Sequence, residues 1–87
     1  MRMTKLQVLA EAGVVREVAA RYQSQPAGWT VQVTYASRTG ERCAILERQR
    51  GGVRVFATLD AVARHLAGLG LVEFRVDATG LTEVEPP

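Results

Sequence analysis

Trp29-Thr30-Val31-Gln32-Val33-Thr34-Tyr35-Ala36-Ser37-Arg38-Thr39-Gly40 is the stretch that decides the fold. Over 29–36 apolar and polar residues alternate. Trp29, Val31, Val33 and Tyr35 take one side, and Thr30, Gln32 and Thr34 take the other. A period of two belongs to an antiparallel strand with one face in a core. Ser37-Arg38-Thr39-Gly40 then reads as a hairpin loop, with Gly40 supplying a positive φ. Arg42 to Arg48 is the return strand. Its Ala44-Ile45-Leu46 is apolar on both faces, which suits a central strand or one covered on its second face by another subunit. Gln49-Arg50-Gly51-Gly52 makes the next turn. Val53 to Ala57 is a third strand, with Val53 and Val55 on one face and Arg54 and Phe56 on the other.

Upstream, residues 4–23 read as a helix. Thr4 is its N-cap. Val8, Ala12, Val15, Ala19 and Tyr22 draw one apolar stripe, which Leu9 and Val18 widen, and Glu17 with Arg21 makes an i,i+4 ion pair. Gly13 is the weak point, a kink or a break between two shorter helices. Downstream, Thr58 caps a second helix whose inward stripe is Leu59, Val62, Ala63, Leu66 and Leu69. Gly68 and Gly70 close it. Leu71 to Asp77 is a fourth strand, with Val72, Phe74 and Val76 facing in. The expected fold is α+β in the order α-β-β-β-α-β: a mostly antiparallel four-stranded sheet with two helices on one face. The fourth strand is expected parallel to the third. Residues 1–80 form the single domain, and 81–87 a flexible acidic, Pro-ending tail.

The whole chain has 87 residues, 47% of them hydrophobic and 23% charged. A domain this small has a thin core, which a partner would help to complete. No apolar run approaches the ~20 residues of a membrane span, and the first residues lack the pattern of a signal peptide. A cytoplasmic location is the expectation. Cys43 stands alone, unable to form an internal disulfide, and reads as a small buried thiol.

Catalysis is poorly supplied. The chain has one His, one Cys and two Ser. His65 reads as a solvated helix-face histidine. One His and one Cys far apart do not make a metal site. Glu41 and Glu47, and likewise Glu73 and Asp77, sit among basic residues and suit cross-strand ion pairs. Gly51-Gly52 lacks the spacing and Lys of a phosphate loop. No nucleophile, base and orienter assemble. The expectation is a non-enzyme with no cofactor and no small-molecule substrate.

Net charge is only +2, but its distribution is uneven. Ten of the eleven cations are Arg. Residues 38–54 hold five Arg against two Glu, a local charge of +3. Arg38, Arg42, Arg48, Arg50 and Arg54 could line a two-stranded ribbon that reads a groove. Arg42, Arg48 and Arg50 share parity and hence a face. The same charges equally suit a solvated hairpin edge protected from aggregation. The length and element order are similar to a double-stranded-RNA-binding domain, but the turn Thr58-Leu59-Asp60-Ala61 lacks the basic cluster such a domain places there. Trp29 reads as a lid over a helix end or as an interface anchor. Ile45 and Phe56, left facing out, would form a dimer surface. These eight residues make up the candidate interaction surface.

Val53-Arg54-Val55-Phe56-Ala57-Thr58-Leu59-Asp60-Ala61-Val62-Ala63-Arg64, then Leu66, then Gly70-Leu71-Val72-Glu73-Phe74-Arg75-Val76-Asp77 form one further unit. It resembles small ParC-family partition-associated proteins of plasmids and integrative conjugative elements. The likeness covers residues 29–78 in general character and about 25 residues in detail. It implies an accessory role in maintaining a bacterial mobile element. The expected function is therefore a non-catalytic accessory or adaptor protein working through protein–protein contacts, as a homodimer or with another protein. The alternative is a weak nucleic-acid-binding module using the hairpin arginines.

Overall fold

Gly13 decides the first third of the chain. A computed structural model describes residues 1–82. In it the first helix, α1, spans Met3–Glu11 and stops. Gly13 takes φ 73° and donates its N–H to the Ala10 carbonyl at 3.1 Å, while the Val14 N–H reaches Leu9 at 3.2 Å. A left-handed residue just past a helix end is the usual glycine stop. The chain then leaves as a strand, β1 (Val15–Ser24). The helix expected over 4–23 is thus corrected to a short helix and a long strand.

The cause of the misreading is a bulge. β1 pairs antiparallel with β2 (Ala27–Ser37), and the register slips between Val15 and Glu17. Val15 lies opposite Tyr35 and Val18 opposite Val33. One extra residue lets Val15 and Val18 both face the core. A strand with such a bulge carries apolar residues at i and i+3, the spacing that also marks a helix. Glu17 and Arg21 do not pair with each other; their partners are Arg75 and Asp77, further along the chain.

The hairpin turn is as expected, and β3 (Gly40–Ile45) runs back beside β2. β3 is shorter than the return strand expected over 42–48. Residues 53–57 do not form a strand. They make only isolated bridges, Glu47 with Val53 and Trp29 with Phe56. The second helix, α2 (Leu59–Ala67), is capped as expected: the Thr58 Oγ1 accepts the Ala61 N–H at 3.1 Å. Losing that oxygen in Thr58→Ala should cost about 1 kcal/mol, seen as a lower urea midpoint at unchanged slope. β4 is only Arg75–Asp77 and pairs parallel with β1, not with residues 53–57.

The sheet order is β3-β2-β1-β4. The α+β class and the order α-β-β-β-α-β hold, and a short α3 (Thr79–Thr82) follows along β1. Two antiparallel pairings and one parallel pairing make the sheet mixed. The strand expected at 53–57 is absent, and β1 at Val15–Ser24 takes its place in the count. Leu6 of α1 and Val62 and Leu66 of α2 join Val18, Ala20, Val31, Val33, Tyr35, Leu46 and Phe56 in one core. Both helices therefore cover the same face of the sheet. Val72 and Val76, expected to face in, are 76% and 48% exposed; of that trio only Phe74 packs against the core. The expected boundary at residue 80 falls within α3, and residues 83–87 of the expected tail lie outside the described residues.

Candidate functional site

Alternation in the strands sends Glu17, Ala19 and Arg21 of β1, Thr30, Gln32 and Thr34 of β2, Glu41, Cys43 and Ile45 of β3, and Arg75 and Asp77 of β4 to the uncovered face. The register agrees, placing Gln32 between Ala19 and Ile45 and Thr34 between Glu17 and Cys43. Part of this face is a shallow polar depression of about 270 Å³. Two ion pairs span β1 and β4 there. Arg21 Nε lies 3.4 Å from Asp77 Oδ2, and Arg75 Nη1 lies 3.4 Å from Glu17 Oε2. The Asp77 carboxyl is held below the usual carboxylate range, chiefly by hydrogen bonds from Thr79.

Cys43 is exposed on this face, not buried as the sequence suggested. Its neighbours Ala44 and Leu46 point to the core side, so the apolar run is split between faces. Gln32 Nε2 donates to the Cys43 Sγ at 2.8 Å, and Thr34 Oγ1 approaches it at 3.7 Å. Ile45, 44% exposed, does sit on the uncovered face as expected.

Phe56 does not. It is only 5% exposed and belongs to the core. The residues around it lie across the sheet end instead of alternating as a strand. Trp29 is partly buried and packs edge-on against Tyr22, ring centroids 5.3 Å apart. Its backbone exchanges two hydrogen bonds with Phe56, both 2.8 Å.

The five arginines of 38–54 do not share a surface. β3 ends at Ile45, so the parity joining Arg42 to Arg48 and Arg50 is lost. Arg42 lies on the strand beside the hairpin turn that carries Arg38; its Nη2 donates to Thr39 Oγ1 at 3.4 Å. Arg48, Gln49, Arg50 and Arg54 line a shallow depression of about 460 Å³ at the opposite end. A neighbouring one of about 410 Å³ adds Arg2, Met3 and Thr4. Arg2 is a member that sequence reading missed. Only the return of the chain brings residue 2 beside residue 54.

His65 is half-buried, not solvated. Its Nε2 is 3.3 Å from Met3 Sδ, and its ring is 5.3 Å from that of Phe56. Burial, then the charge of Arg54, pulls its pKa below the ordinary 6.5. The unfolded chain therefore binds the proton first. Stability is full above about pH 6.5 and declines as the pH falls through the folded-state pKa. His65→Gln should flatten this decline, measured by comparing urea midpoints of both proteins above and below the transition.

Among the described residues, no group of three or more His, Cys, Asp or Glu is placed to hold a metal ion, and no helix is long and apolar enough to cross a membrane. Compared with protein-family models, curated proteins and solved structures, the chain matches none of them.

Proposed function

We propose that the chain is a small non-catalytic accessory or adaptor module acting through protein–protein contacts, with the β3 edge as its contact strand. The observation that carries this reading is the backbone of β3. The Leu46 N–H bonds to the Val31 carbonyl at 2.8 Å. Antiparallel alternation then directs the backbone of Arg42 and Ala44 toward β2 and that of Glu41, Cys43 and Ile45 outward. Met1 occupies one end of this outer edge: its N–H donates to Ile45 O at 2.7 Å, and its carbonyl accepts the Glu47 N–H at 2.6 Å. Glu41 and Cys43 form the stretch beside it, and among the described residues no β-strand lies outside them.

A second copy of the chain is the proposed occupant. A strand edge is complementary to itself under two-fold rotation, because its donors and acceptors alternate at one spacing. The exposed Ile45 adds apolar surface beside the seam. The ParC-family resemblance supplies a setting, accessory work in maintaining a bacterial mobile element.

Sedimentation equilibrium tests the contact. Between about 10 μM and about 1 mM, the range of weak pairing, the native mass should rise from 9.5 kDa toward twice that value. Cys43→Pro removes one outward N–H and leaves the β2 pairing intact, as edge prolines do. It should remain monomeric throughout with an unchanged far-UV spectrum. A native chain that stays monomeric across the range contradicts the proposal.

A further inference from the structure

We infer that Arg2, Arg48, Arg50 and Arg54 form a phosphate-binding lobe for the backbone of a nucleic-acid duplex. This goes beyond the adaptor reading and uses a different surface from the free part of the β3 edge.

The first support is where the acids sit. Arg21 and Arg75 each have a carboxylate partner on the uncovered face, Asp77 and Glu17. Glu47, the acid that lines the lobe, lies 3.5 Å from the Met1 ammonium. Among the described residues none of the four lobe arginines has a carboxylate oxygen within 4.0 Å. Four like charges with no direct carboxylate partner raise the local potential, and a polyanion would relieve it.

The second is how the side chains are held. The loop 48–52 closes on itself: the Arg48 N–H bonds to Gly52 O at 2.8 Å, and the Gly51 N–H to Arg48 O at 3.0 Å. The Arg48 Nε donates to Gly51 O at 3.1 Å, which fixes the guanidinium and leaves its Nη groups for a ligand. The Arg54 guanidinium carbon stands 4.7 Å from the centroid of the Phe56 ring. Stacking on an aromatic face orients the plane and leaves the N–H edges available. Arg54 and Gln49 line both depressions, so the two adjoin. Guanidinium forks fixed in this way suit the paired oxygens of a phosphate.

The third is what the lobe lacks. Phe56 is covered, and Trp29 and Tyr22 are packed against each other. Among the described residues no aromatic ring beside the arginines is free for base stacking, the usual grip on single strands. Among the described residues no aromatic anchor for a protein interface lines the lobe either. Contacts to phosphates alone favour the duplex, whose charge density is higher. Arg38 and Arg42 lie outside the lobe: neither lines its depressions, and from Arg42 to the end of β3 is already roughly 10 Å at ~3.3 Å per residue.

The test is fluorescence anisotropy with a fluorescein-labelled duplex of arbitrary sequence, titrated with salt. Three to four phosphate contacts give a log–log slope of about −3 to −4. Arg50→Gln alters an exposed loop residue, so misfolding will not mask it; it should lower the slope by about 0.9. Neutralising Arg48, Arg50 and Arg54 together should leave a slope near −1 and weaken low-salt binding more than tenfold. Arg38→Gln with Arg42→Gln should move the slope by less than about 0.5. Equal loss per charge removed in both sets would overturn the inference, because net charge alone would then explain binding. Competition by polyglutamate as effective as unlabelled duplex at equal charge would overturn it in favour of an acidic protein. Absence of native binding at low salt would overturn it outright. Cys43→Pro should bind the duplex as the native chain does, so failure here and failure of the adaptor reading are separable.

Discussion

Gly28→Ala should bring the protein close to unfolding at ambient temperature. Gly28 is buried on β2 and holds φ 151°, a value that L side chains rarely adopt. A Cβ there would lie 2.7 Å from the Phe56 carbonyl oxygen and would press on Val55 Cγ1. That oxygen accepts the Trp29 N–H, and the Phe56 N–H returns to Trp29 O. The 53–57 segment therefore cannot retreat without breaking both bonds, worth about 0.5–1.5 kcal/mol each. Backbone strain adds about 1–3 kcal/mol, and Phe56 is drawn from the core. The expected total is about 3–5 kcal/mol, against about 5 kcal/mol for a small domain. At about 4–8 °C per kcal/mol, calorimetry should show Tm falling by about 12–40 °C. A change of only about 3 °C would mean that the chain does not cross Gly28 this closely.

Leu66→Ala is the second large effect. Leu66 is fully buried in α2 at the meeting of helix and sheet. Truncation of a Leu in such a place costs about 2–5 kcal/mol, from lost transfer energy and the cavity left behind. Val72→Ala is the control. Val72 is an apolar residue in the segment expected to be the inward-facing fourth strand, yet it is largely exposed. Its truncation should change stability by less than about 0.5 kcal/mol. Urea midpoints at a common slope give both values. Equal costs would restore Leu71–Asp77 as a buried strand.

Gly28, Leu66 and Val72 mark how far the sequence could be read. The 29–40 hairpin was legible because its alternation is unbroken and its turn is short. The Thr58 cap and the Val62–Leu66 stripe were legible because capping and helical spacing are local. β1 was hidden for a local reason as well: its bulge gives Val15 and Val18 the spacing of a helix. Residues 53–57 alternate like a strand, yet their position is set by Gly28 and Trp29, about thirty residues upstream. The lobe shows the same limit. Arg48, Arg50 and Arg54 were visible as a basic run, but Arg38 and Arg42 were grouped with them by a parity that the end of β3 removes. Arg2 joins only through tertiary return of the chain.

The adaptor reading rests on the outward backbone of Glu41 and Cys43, and residue-resolved amide hydrogen exchange observes those groups themselves. In dilute solution Arg42 and Ala44 should be protected by β2, and Glu41 and Cys43 should exchange freely. On raising the concentration, Glu41 and Cys43 should gain protection together, since two-fold pairing engages them in one step. If both stay freely exchanging at every concentration while Arg42 and Ala44 stay protected, the β3 edge is not a contact between copies.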